Sequence, residues 1–77
     1  MYKYKVCGVY HGEKQGQEYT TIFYLVPLTA KDAEGFYSQK KSIQGAQDIK
    51  VGDMIELVFA LNFKNEPYIQ TVKKIEE

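Results

Sequence analysis

The chain switches period several times, and each switch marks the edge of a strand. In "YKYKVCGVYH", residues 2–11, Tyr2, Tyr4, Val6 and Tyr10 fall on one parity with Gly8 among them, while Lys3, Lys5 and His11 fall on the other. Period-two alternation predicts a half-buried strand, and a glycine inside it predicts a bulge or sharp bend. "GEKQGQ" reads as a hairpin connection. "EYTTIFYLVPL" is a second strand whose centre, Ile22 to Val26, is apolar on both parities. That pattern predicts a central strand covered on both faces. Pro27 has no N–H to donate, so pairing should weaken there.

"TAKDAEG", residues 29–35, is the only stretch that fits a helical turn, with Thr29 as cap and Gly35 as stop. Its length is short for a stable helix. "FYSQKKSI" is a third strand, "QGAQDIKVGD" a loop that ends in a tight turn at residues 51–53, and "MIELVFALNF" a fourth strand. Ile55, Leu57, Phe59, Leu61 and Phe63 share one face of it. "KNEP" is a turn, and "YIQTVKKIEE" a fifth strand in which Ile69, Val72 and Ile75 change parity, as at a bulge or an exposed end.

These 77 residues amount to a single domain, 1–77, with room for one small core. Five strands of this length predict an all-β fold, an OB-like, partly open Greek-key barrel with at most one helical turn near residues 29–35. An SH3-like barrel is the competing architecture. A core this small commonly draws support from disulfides, metals or self-association. Cys7 is the only cysteine and His11 the only histidine, so neither a disulfide within the chain nor a metal site is expected. A good small core or self-association, expected as a homodimer, is what remains. No apolar run approaches the roughly 18 residues of a membrane span, and from the alternating N-terminus no signal peptide is expected. A single thiol fits a reducing compartment, so the expected location is the cytoplasm, with no membrane partner.

Catalysis finds little to build on. One His and one Cys make no nucleophile–base pair, Ser38 and Ser42 sit in a lysine-rich strand, and no glycine pattern matches a phosphate loop or dinucleotide fingerprint. A non-enzyme without cofactor is expected. Ten lysines balance ten acids, and arginine is absent. A zero sum neither announces nor excludes a nucleic-acid partner, because local distribution matters more than the total.

The seven tyrosines are the most informative residues. Tyr24 sits inside the most apolar run and reads as core. Tyr10, Tyr19, Tyr37 and Tyr68 lie at strand ends or turns, near lysines. Tyr19 follows Lys14 and Gln15, Tyr37 precedes Lys40 and Lys41, and Lys3 and Lys5 lie on the first strand. Aromatic side chains that stack bases, interleaved with lysines that neutralise phosphates, are what a sequence-neutral single-strand surface needs. Without arginine, bidentate reading of base edges is not expected. Ordinary amphipathic strands produce the same interleaving, so this reading stays one of several.

"KQGQEYTTIFYLVPL", residues 14–28, resembles the corresponding hairpin of the small single-stranded DNA-binding proteins of filamentous phages, the gene V type. There a polar basic loop with a Q-G step leads through a tyrosine into an aromatic–aliphatic strand. The later order is similar too: a Gly-aromatic strand, a "VG" turn before a long apolar strand, and a basic final strand. The resemblance implies an OB-type barrel, a symmetric dimer, and cooperative binding of single strands without sequence preference. It places Lys14 and Gln15 in a binding loop and Tyr19 at its base. The absence of arginine departs from that family. The functional expectation is therefore sequence-independent binding of single-stranded DNA or RNA, in replication or on a mobile element. The alternatives are a small protein-interaction module, such as a phage or mobile-element accessory protein, and a structural homodimer with no further ligand.

Overall fold

The computed structural model describes residues 3–75, so Tyr2 and the Glu76–Glu77 tail lie outside the described residues. Five strands form: β1 (Lys3–Lys14), β2 (Gln17–Pro27), β3 (Phe36–Gln44), β4 (Met54–Leu61) and β5 (Pro67–Lys74). They make one antiparallel sheet in the order β3-β2-β1-β4-β5.

The barrel expectation is corrected here, and with it the resemblance that implied an OB-type barrel. The sheet stays open, because β3 and β5 are its edges and no ladder joins them. An open cleft of ≈ 380 Å³ lies between Ile69 of β5 and Phe23, Tyr24, Ser38, Gln39 and Lys40. It lies where a closing ladder would run. β5 begins at Pro67, which has no N–H, and β3 carries Lys40 and Lys41 at its middle, both devices that discourage edge pairing. The architecture is better described as two ribbons hinged on β1. Its residues Lys3–Lys5 pair with Glu56–Met54 of β4, and Val6–Lys14 pair with β2.

No helical turn forms in residues 29–35. A single Ala33 N–H to Ala30 O bond closes a turn, and Asp32 and Gly35 adopt positive φ of 63° and 111°. Left-handed residues at those two positions stop helix propagation before it starts.

The core is one face of the sheet. Val6, Ile22, Tyr24, Ile49, Ile55 and Val72 are buried, with Tyr4, Val9, Val26, Ile43 and Leu57 packed around them. Tyr4 and Tyr24 meet as tilted rings 5.5 Å apart. Burial, with smaller contributions from the neighbouring phenols Tyr4 and Tyr37, raises the Tyr24 phenol above its usual pKa. Its hydroxyl donates to Gln39 Oε1 at 3.3 Å. Ile49 comes from the loop between β3 and β4 and plugs the core from there. Thr20 anchors that loop: its hydroxyl donates to Gly45 O at 2.9 Å and accepts from Gln47 N–H at 3.2 Å. The expectation that β2 is covered on both faces is also corrected. Ile22 and Tyr24 are buried on one face, whereas Phe23 and Leu25 on the other are half-buried with no second layer over them.

Candidate nucleic-acid interface

A bulge decides what this surface contains. Val6 pairs with Tyr24 and Gly8 with Phe23, so Cys7 is an extra residue in β1. An extra residue shifts the parity of everything after it. With unbroken alternation Tyr10 would join Val6 on the core face. The bulge instead moves Tyr10, Gly12 and Lys14 onto the face of Lys3 and Lys5, and turns Val9, His11 and Glu13 to the other. Glycine suits the spot, because the Phe23 side chain lies 3.3 Å from where a Cβ on Gly8 would be.

Cross-strand register extends this face over β2 and β3. Tyr19, Thr21, Phe23 and Leu25 stand opposite Gln44, Ser42, Lys40 and Ser38. The Thr21 and Ser42 hydroxyls bond at 2.8 Å, and Cys7 Sγ approaches Ser38 Oγ at 3.7 Å across β2. Among the described residues of β1, β2 and β3, this face carries Lys3, Lys5, Lys14 and Lys40 and no carboxylate. Glu13 and Glu18 pair with each other on the opposite face. The charge balance of the whole chain thus conceals a local separation. Lys3 contributes less to it, because Glu56 lies directly opposite it in β4.

The polar arm between the first two strands is ladder nearly to its tip. Pairing continues to Lys14 and Gln17, and the turn is only Gln15 and Gly16, with φ of 52° and 78°. Two successive positive φ values define the tight hairpin turn that matches strand twist. Lys14 is therefore held on a rigid strand rather than in a flexible loop, which corrects its expected setting, while Tyr19 lies on the second strand as expected. Gln15 alone occupies the turn.

Tyr19 is positioned by a glycine. It pairs with Gly12, and its ring crosses the space a side chain there would fill: a Cβ on Gly12 would overlap Tyr19 Cζ and fall 2.7 Å from Tyr10 Cε2. Tyr10 and Tyr19 form a tilted pair with centroids 6.1 Å apart. Tyr10 is exposed and Tyr19 half-buried, so the pair offers ring surface to solvent while its base is fixed. Beside it lies a shallow trough of ≈ 400 Å³ lined by Lys14, Gln15, Gln17, Glu18, Tyr19, Ser42, Ile43 and Gln44. Gln44 Nε2 donates to Gln17 Oε1 at 3.1 Å across it.

His11 lies on the other side of the hairpin. The Thr20 hydroxyl proton is already given to Gly45 O, so at 3.4 Å it is His11 Nδ1–H that donates to Thr20 Oγ1. Among the described residues, no group of three or more His, Cys, Asp or Glu is placed to hold a metal ion. No helix of the described residues is long and apolar enough to cross a membrane.

Of the ten residues singled out from sequence, Lys3, Lys5, Tyr10, Lys14, Tyr19 and Lys40 share this face, with Gln15 at its tip. Tyr37 and Lys41 do not: they pair with Val26 and Ile22 and turn to the core side. Tyr68 pairs with Ala60 near the far end of the β4–β5 ribbon, away from the Tyr10–Tyr19 pair. Sequence reading missed Gly12, Phe23, Gln17 and Gln44. Gly12 was legible in principle, as a glycine in a β-rich arm facing an aromatic three residues beyond a Gly turn. Comparison with known proteins finds no matching family model, no matching curated protein and no matching solved structure.

Proposed function

We propose that the face built by β1, β2 and β3 binds single-stranded nucleic acid without sequence preference, in a cytoplasmic, non-catalytic role. One observation carries the proposal: register gathers Lys5, Lys14 and Lys40 with the Tyr10–Tyr19 pair on a face of β1–β3 whose own register positions hold no carboxylate, Glu13 and Glu18 of the opposite face reaching only the border of the tyrosine pair. The phenol rings supply stacking surface, worth roughly 1–3 kcal/mol per base and indifferent to base identity. The lysines act as point charges along a phosphate chain. The trough beside Tyr19 gives a splayed base or sugar a place to lie, with the Gln17 and Gln44 amides at its wall.

The test is quenching of tyrosine fluorescence by an oligothymidylate across a salt series. Three lysine–phosphate contacts imply a log–log salt slope of about −2, at roughly 0.7 per contact for single strands. Tyr19→Ala should weaken binding by roughly 1–3 kcal/mol. Absence of quenching at low salt overturns the proposal. It would favour the second reading, a protein-interaction module, which draws on the exposed apolar residues of the other ribbon.

A further inference from the structure

The face of β4 that faces the core does not stop where the core stops. Ile55 is fully buried and Leu57 half-buried, but Phe59 is 54% exposed, Leu61 63%, and Phe63 in the following turn 93%. Opposite Phe59 and Leu61 stand Ile69 and Pro67, also apolar. The core's own stripe thus runs out along the β4–β5 ribbon into solvent. Lone exposed apolar side chains need no explanation, but a contiguous row continuous with the core marks an interaction surface.

We infer that this ribbon docks on the same ribbon of a second copy of the chain. Area supports that occupant. The chain exposes 6041 Å², whereas a compact monomer of 8.9 kDa should expose about 4,800 Å². The difference, 6041 − 4,800, is about 1,200 Å² over the whole open sheet, more than the roughly 800 Å² that each partner gives to a standard interface, so the chain has area to give and the apolar stripe marks where. The radius of gyration agrees: 13.8 Å, against about 11.5 Å for a compact chain of this length.

Charge supports a like partner over an unlike one. A two-fold interface must be complementary to itself. The tip beside the stripe carries one lysine, Lys64, and one glutamate, Glu66, held two residues apart by the Asn62 side chain, whose Oδ1 accepts from both backbone N–H groups at 2.8 and 3.0 Å. A two-fold axis at the tip sets each Lys64 against the other copy's Glu66. A partner selected by charge would call for a tip of one sign.

Sedimentation equilibrium of the full chain without nucleic acid tests the inference, so its outcome is independent of the proposed binding activity. The expected mass is twice 8.9 kDa. Leu61→Asp should raise the dissociation constant by about 30-fold or more, the size of an interface hot spot. Phe63→Ser, at an almost fully exposed position, should weaken the dimer in the same direction with an unchanged circular dichroism spectrum. A wild-type monomer at high micromolar concentration overturns the inference. So does a dimer that both variants leave intact. A monomer whose Phe59, Leu61 and Phe63 resonances shift on adding oligonucleotide would instead reassign the stripe to nucleic acid.

Discussion

The two ribbons of this sheet are built alike and finished differently. Each is an antiparallel hairpin carrying one bulge, at Cys7 in β1 and at Gln70 in β5, where Val58 pairs with Thr71 and Phe59 with Ile69. The β1–β2 ribbon ends in a two-residue turn and presents lysines, tyrosines and short polar side chains. The β4–β5 ribbon ends in an Asn-organised turn and presents Phe59, Leu61 and Phe63. Exposed rings mean different things in the two places. Beside lysines and amides they are half of a surface for a charged, flexible chain. In an apolar row they are an unfinished core.

Three changes break or sharpen this contrast. The largest effect strikes the root that both ribbons share. Tyr24→Ala removes a fully buried ring and should cost about 3–5 kcal/mol, read from urea unfolding, and both ribbons should lose order together. If the β4–β5 ribbon survived alone, the two would not share one cooperative core. The same residue makes stability sensitive to alkali. A phenol raised above its unfolded value near 10 leaves the fold fully supported below that pH, and support is lost as pH climbs through the folded value.

Next in size is Gly12→Ala, which separates fold from surface. Gly12 has no positive φ, so its backbone accepts alanine, but the usual gain of about 0.5–1 kcal/mol is offset by displacing the two rings, and stability should stay equal or fall slightly. Its methyl must push the Tyr19 ring off its seat. Oligonucleotide affinity should drop by roughly 1–3 kcal/mol, as for loss of one stacked base, while the dimer is untouched. Unchanged affinity would show that the seated ring is only a cover for a strand glycine.

The smallest effect is a pH dependence at the hinge. Asp53 Oδ2 accepts from Lys50 N–H at 2.9 Å and lies 3.4 Å from Lys74 Nζ. The backbone hydrogen bond first, then the Lys74 charge, hold its carboxyl below the ordinary value. A lowered pKa contributes stability above the unfolded value near 3.9, and that contribution fades as pH falls through the folded value. Wild type should therefore exceed Asp53→Asn in urea midpoint at neutral pH, and the two should converge in acid. A gap that persists in acid would assign the difference to packing instead of charge.

Alternation alone settled a good deal about this chain. The five strands, the breaks between them, the bends at Gly8 and near Gln70, and Tyr24 as core follow from residue type and period, because side chains on a strand alternate whatever lies around them. The tightness of the Gln15–Gly16 turn was not legible, since glutamine rarely takes positive φ and polar residues read as loop. Nor was the openness of the sheet. Closure depends on whether two edges far apart in sequence, β3 and β5, come within hydrogen-bonding reach, and no local pattern encodes that distance. The membership of the candidate site was decided by tertiary structure for a related reason. One inserted residue at Cys7 exchanged the faces of Tyr10 and His11, and pairing across β2 brought Lys40 to the tyrosines while turning Lys41 away. Residue types determine which chemistry a strand can offer; register, which is a property of pairs of strands, determines which residues offer it together.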